Sequence, residues 1–293
     1  MDWFSLSLLC ALSLALADAL SKKYLPGYSP YQLLLVRFTI PGLLLIPWLM
    51  AHPVSLMDQP AAFWGWMALT IPLELIAMLI YMQAISNAPL HQTLPYLSFT
   101  PVFNILTGWL FLGEEASLLG SMGILLVVMG SYLLNLHRLR ANGDLNLLEP
   151  LRAIFYQQAS RRMLLVAFIY SLTSVFSKAA MNYTNPDGFG AFYFVVIGGA
   201  SVLLVMIKQP SSLSVLSRNL RWHLIIGGLM ALMVVTHFVA IAQIEAAYMI
   251  AVKRLSLLFG IVLGAWLLHE QGLGRNLASA SIMVAGVALI LLG

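Results

Sequence analysis

Long apolar runs separated by short polar turns set the pattern of this chain. Taking about 20 apolar residues as the length that crosses a bilayer, ten runs qualify, at roughly 3–21, 31–50, 62–83, 91–111, 117–136, 162–182, 189–207, 222–242, 247–268 and 275–292. The turns between them carry helix-breaking residues, as in Pro26-Gly27, Asn87-Ala88-Pro89 and Asn185-Pro186-Asp187-Gly188. The first run follows Met1-Asp2 rather than a basic leader and contains Asp18, so it is expected to be a span and not a signal peptide. The pattern predicts an all-α polytopic membrane protein with ten transmembrane helices.

The two halves resemble each other. A shift of 156 residues places Ser21-Lys22 on Ser177-Lys178, Trp66 on Trp222, Gly108 on Gly264, Glu114 on Glu270 and Gly130 on Gly286. It also aligns FNILTGWLFLGEE (103–115) with FGIVLGAWLLHEQ (259–271). The expected organisation is a first repeat over 1–136, a cytoplasmic linker over 137–161 and a second repeat over 162–293. Five spans per repeat is an odd number, so the second repeat lies upside down relative to the first. Such inverted repeats place a substrate site near the midplane, between the halves. Within the linker, residues 147–159 are read either as a topology-fixing basic connector or as a short interfacial amphipathic helix.

Charge then orients the chain. Of 15 Lys and Arg residues, Arg37, Lys178, Lys253 and Arg254 fall within spans. The other eleven, Lys22, Lys23, Arg138, Arg140, Arg152, Arg161, Arg162, Lys208, Arg218, Arg221 and Arg275, all lie in connections on one side. The positive-inside rule makes that side cytoplasmic and puts both termini outside, in the periplasm if the membrane is a bacterial inner membrane.

Composition narrows the class. The chain is 61% hydrophobic and 9% charged, with mean hydropathy +0.90, against about 25% charged in soluble domains. A net charge of +4 is accounted for by membrane topology, so nucleic acid is not an expected partner. Cys10 is the single cysteine, which excludes an internal disulfide and a cysteine metal cluster. HExxH, GxSxG and nucleotide-loop motifs are absent, so neither catalysis nor a cofactor is expected. An intramembrane enzyme or a sensor is the outlying alternative.

The cations inside the spans carry the candidate chemistry, since a charge in lipid is costly unless it faces the bundle interior or a partner. Lys253 and Arg254 are adjacent and point about 100° apart, so they do not share one escape route to a membrane surface. Lys178 falls at a similar depth on the sixth helix, either facing the cavity or snorkelling outward. Ser171, Ser174 and Lys178 repeat at i, i+3 and i+7, a polar stripe expected to face a cavity. Lys253, Ser256 and Gly260 share one face of the ninth helix, and Tyr96, Thr100 and Asn104 recur every four residues between Pro95 and Pro101. Three cations with no obvious acids to neutralise them imply an anionic guest, and Arg suits a bidentate oxyanion. Glu74, in the middle of the third helix, either carries a coupling proton or pairs with Arg254. Asp18 and Arg37 are expected to form a structural ion pair. His91 and His237 are read as packing residues rather than proton carriers.

Paired five-helix repeats, Arg37-Phe38 early in the second helix, and the endings LFLGEE (110–115) and WLLHEQ (266–271) resemble the drug/metabolite transporter superfamily, in particular its EamA-type members. The second ending departs from the family pattern, having His269-Glu270 where Gly-Glu is usual. The resemblance implies export of amino acids, metabolites or toxic compounds, or exchange of phosphorylated solutes. Ser177-Lys178 and Val252-Lys253-Arg254 are also similar to basic motifs of plastid sugar-phosphate translocators, which implies a phosphate or other anionic group on the substrate. The expected function is secondary transport of a small organic anion by alternating access, with Lys178, Lys253, Arg254, Tyr96, Thr100, Ser174 and Ser256 binding it. A counter-anion or a proton would be the coupling partner. The alternatives are an exporter of amino acids or amphipathic compounds, and a carrier of a lipid-linked phosphate.

Overall fold

The computed structural model describes residues 1–87, 94–139, 157–268 and 277–293, and every regular element among them is helical. The helices are α1 (Trp3–Tyr24), α2 (Pro30–Ala51), α3 (Ala61–Asn87), α4 (Thr100–Leu112), α5 (Leu118–Leu139), α6 (Gln158–Met181), α7 (Pro186–Lys208) and α8 (Leu220–Ile241). They are followed by α9, in two segments Ala246–Lys253 and Ser256–Leu268, and α10 (Leu277–Leu292). Seven are long and apolar enough to cross a membrane, and Tyr96–Leu112, Leu118–Leu133 and Ala278–Leu292 are shorter apolar helices. The turn at 88–90, His91, most of the linker including 147–156, the ending His269-Glu270 and Arg275 lie outside the described residues.

Outward faces are apolar. Leu106, Trp109 and Leu110 on α4, and Leu118, Met122, Leu125 and Met129 on α5, recur at helical spacing and stay exposed. In water such stripes would be a liability; in a bilayer they are the lipid-facing surface. Inside, several hydroxyls are satisfied locally: Ser7 donates to the Trp3 carbonyl, Ser201 to Ile197 and Thr70 to Trp66, each four residues back. This lets small polar residues sit in an apolar bundle without unpaired donors.

Several helices depart from the regular ladder. The middle of α2 widens into a five-residue π turn, Leu35–Thr39, with Arg37 at its centre, and such bulges mark functional positions. A 3₁₀ turn, Leu94–Phe99, leads into α4. The ninth span, expected as one continuous helix, is broken at Arg254-Leu255. There the Leu255 N–H bonds the Val252 carbonyl and the Leu257 N–H bonds the Arg254 carbonyl. Within a membrane such loosened backbone is tolerated where protein or a water-lined cavity surrounds it.

Packing follows a paired scheme. The helix α1 lies against α8 and against the second segment of α9, while α6 lies against α3 and α4; α2 packs on α7, and α5 on α10. The tightest crossings are made by glycines. A Cβ added to Gly42 would stand 2.5 Å from the Phe194 carbonyl oxygen, and one on Gly198 would stand 2.9 Å from that of Phe38. A Cβ on Gly286 would meet the Gly123 oxygen at 2.6 Å and the Val127 nitrogen at 2.7 Å; one on Gly130 would meet Met283 Cγ at 2.6 Å and the Ser279 oxygen at 2.8 Å. Since backbone atoms cannot withdraw as a side chain can, Gly42→Ala and Gly286→Ala are each expected to cost about 1–3 kcal/mol. Thermal unfolding in detergent should show a lower Tm for both. Gly199→Ala and Gly228→Ala, where nothing lies within 4 Å, should unfold at least as late as the parent.

Candidate functional site

The break in α9 exposes its two cations to the bundle interior. Its first segment is almost wholly buried from Ala246 to Val252, and Lys253 and Arg254 follow at its end, both half-buried. Arg254 Nε is buried without a hydrogen-bond partner, and among the described residues no carboxylate pairs with this guanidinium. Phenols supply its electrostatic surroundings: Tyr81 from α3 and Tyr170 from α6 both interact with it. The same two phenols interact with Arg37, which joins α2 to this centre. Arg37 is itself ion-paired with Asp18 of α1. An unpaired buried cation is costly, and a pair relieves that cost; Arg254 therefore differs in kind from Arg37.

Lys253 has other company. Its Nζ lies 3.5 Å from His237 Nδ1 on α8, and its charge acts on Glu74 and on Cys10. An ammonium has only donors to offer, so the ring nitrogen that faces it is placed to accept. The Thr173 hydroxyl of α6 donates to the Tyr170 carbonyl of its own helix, and the Glu74 carboxyl acts electrostatically on Tyr170 and on Tyr193 of α7. Glu74 lies two residues after Pro72, whose missing N–H leaves one carbonyl of α3 without its helical donor. Asp18, Arg37, Glu74, Tyr81, Tyr170, Lys253 and Arg254 thus form one polar centre drawn from five helices. Ser256 opens the second segment of α9, half-buried, two residues beyond Arg254.

The structure corrects the expected role of Lys178. Its Nζ lies 2.5 Å from Glu114 Oε1 and 2.5 Å from the Ile244 carbonyl oxygen, with both side chains of the ion pair largely buried. The other carboxylate oxygen of Glu114 accepts the Ala246 backbone N–H at 2.9 Å. Glu114 reaches that position because Gly113, at φ +69°, ends α4 in a left-handed turn and because Gly108 has no Cβ; one there would stand 2.8 Å from Glu114 Oε2. Lys178 is therefore a structural cation that ties the ends of α4 and α6 to the start of α9. Both of its polar contacts here are to the protein itself.

Three further expectations change. Tyr96 is fully buried in a cluster with Ala84, Met163 and Val166, so it is a packing residue between α3 and α6. Thr100 spends its hydroxyl on the Leu97 carbonyl at 2.7 Å and is closed off. The stripe on α6 is also satisfied at short range: Ser171 donates to Phe168, Ser177 to Ser174, and Ser174 to Ser171 and to Asn104 Oδ1 of α4 at 2.9 Å. Ser174 therefore holds two helices together and does not line an open wall. Tyr81 and Glu114 escaped the sequence reading. Tyr81 follows Glu74 by seven residues, two helical turns, and that spacing was the available signal.

The matches to known proteins agree with this architecture. A solved crystal structure, 19% identical in sequence, superposes with a TM-score of 0.75 over 99% of this chain and 95% of its own, which shows a shared fold. No curated protein sequence matches the chain. The family model that describes EamA-like transporters matches twice, over residues 1–136 and 162–292. With nearly its whole length accounted for in this way, the chain belongs to the EamA-like transporter family, within the drug/metabolite transporter superfamily.

Proposed function

We propose that the protein is a secondary active transporter that moves a small organic anion across the membrane by alternating access, with Arg254 as its principal binding group. The observation that carries this reading is the Arg254 guanidinium, set at the break of α9 with a buried nitrogen unpartnered and no carboxylate on it among the described residues. A bound carboxylate or phosphate would provide the missing countercharge and two parallel acceptors. Lys253 and Ser256 lie beside it on the same element and would complete the contact. Glu74 is the coupling candidate, as a carboxylate placed near the middle of α3 within the span.

The glycine contacts support an inverted repeat. The 156-residue shift carries Gly42 onto Gly198 and Phe38 onto Phe194, so the two contacts between α2 and α7 are exchanged images of each other. Likewise Gly130 maps to Gly286, Gly123 to Ser279 and Val127 to Met283. In both crossings the higher-numbered end of one helix meets the lower-numbered end of its counterpart, so equivalent helices run antiparallel. A two-fold axis perpendicular to the spans, in the membrane plane, relates the halves in this reading. In this reading the basic connections favour both termini on the outer face of the membrane.

Counterflow in proteoliposomes tests the reading. Vesicles preloaded with an unlabelled anion should accumulate the labelled anion without a pH gradient if transport is exchange. If uptake instead needs an imposed proton gradient and is lost in Glu74→Gln, the coupling ion is the proton. Uptake confined to cations would overturn the proposal.

A further inference from the structure

Two groups of helices divide the bundle. The 156-residue shift carries α3 onto α8, α4 onto the second segment of α9, and α1 onto α6. Packing respects the same division, since α6 lies against α3 and α4 while α1 lies against α8 and α9. Contacts between the two groups gather at the end of the bundle opposite the basic connections, the outer end by the charge rule. There Lys178 of α6 donates to the Ile244 carbonyl, in the turn before α9, at 2.5 Å. Glu114, just past α4, accepts the Ala246 N–H at 2.9 Å, and its 2.5 Å ion pair with Lys178 couples these two contacts. Beside them the Ser117 N–H, at the start of α5, donates to the Tyr248 hydroxyl at 2.7 Å. Gly120 gives that ring its room, for a Cβ there would stand 2.5 Å from Tyr248 Cε1. All of these contacts reach one short stretch, Ile244 to Tyr248, at the head of α9. Burial along α9 is one-sided to match. Every residue from Ala246 to Val252 is buried, whereas Lys253, Arg254 and residues 256–260 are partly exposed. Arg254 lies eight residues, about 12 Å, inward of Ala246.

We propose that this cluster is the outer gate of the transporter, with Glu114 at its hub: the structure is closed on that face, and a solute reaches Arg254 from there only when the head of α9 parts from α4, α5 and α6. The proposal rests on the reading of the protein as an alternating-access transporter. Its position suits a latch that opens and closes. The contacts join helix ends, where water can solvate the parted carboxylate, ammonium and backbone groups, so opening exchanges protein hydrogen bonds for hydrated ones. The same groups parted in the hydrocarbon core would be stranded without partners.

The experiment follows modification of a reporter cysteine by a membrane-impermeant thiol reagent in right-side-out and inverted membrane vesicles. The full-length reporter protein carries Cys10→Ala, which removes its single, buried thiol, and Ser256→Cys, two residues beyond Arg254. The reporter should react at least ~10-fold faster from the face of the basic connections than from the outer face. Glu114→Gln and Lys178→Met should each raise the outer-face rate by about 10-fold. Tyr248→Phe gives up one hydrogen bond and should raise it by about 5-fold. Unchanged outer-face rates in the folded variants would make the cluster a static tie and overturn the gate. A reporter protein that reacts as fast from the outer face as from the other would overturn it too. Absence of counterflow of any anion by the unsubstituted protein would instead remove the transport reading on which the gate rests. Tyr248→Phe, which keeps the buried ring, and the sidedness of the reporter protein decide the matter even if the charge variants do not fold.

Discussion

Arg254→Gln is expected to abolish counterflow of the preferred anion and its thermal stabilisation, while the unliganded protein unfolds at the same temperature as the parent or above it. The two effects have opposite signs because one side chain causes both. A guanidinium gripping an oxyanion through charge-assisted hydrogen bonds is worth on the order of 3 kcal/mol, or about 100-fold in affinity. In the empty protein the same group carries a desolvation cost without a paired carboxylate among the described residues, and removing such a charge relieves the fold rather than weakening it. Arg254→Lys separates charge from geometry. It keeps the cation but loses the planar fork, so it should retain part of the binding while falling at least ~10-fold short of the parent. A glutamine variant that transports normally would remove Arg254 from the site, and one that unfolds early would show that the residue holds structure instead of substrate.

What was legible in the sequence, and what was not, divides along physical lines. Hydropathy located the apolar helices, seven of them long enough to cross a membrane among the described residues, because lipid enforces a one-dimensional rule on every helix it touches. The repeat shift of 156 residues had aligned Gly130 with Gly286, but that these glycines and the Gly42–Gly198 pair make the close crossings is visible only in the packed helices. Adjacent cations at Lys253-Arg254 pointed to the interior because two diverging charges have no common exit. The ion pair of Lys178 was not legible, since its partner, Glu114, lies 64 residues away and reaches it through the left-handed turn at Gly113. Its membership in a polar stripe also misled: serines on α6 donate to carbonyls of their own helix, so periodicity alone could not distinguish a cavity wall from a satisfied, buried face. Nor does hydropathy register the break at Arg254-Leu255, where no proline or glycine marks the interruption.

The Glu114–Lys178 pair yields the second large effect, and it belongs to stability. Glu114→Ala strips the carboxylate from Lys178 and from the Ala246 N–H together, leaving a largely buried ammonium and an open helix N-terminus. A loss of about 3 kcal/mol is expected from breaking a buried pair by one partner, read as a lowered midpoint in detergent unfolding. Lys178→Met should cost less, because the Glu114 carboxylate it abandons still accepts the Ala246 N–H and stands at the positive end of the α9 dipole. The double variant should be less destabilised than the two singles added together, since once the pair is gone neither removal strands a charge. Additive singles would mean that the contact contributes nothing as a pair. The decisive reading is functional: Lys178→Met should keep the parent's order of preference among anions, because the ion pair, with its Ile244 and Ala246 contacts, holds helix ends rather than substrate. A Lys178→Met protein that folds but no longer favours the same anion would return this lysine to the binding site and raise the charge that the guest must match.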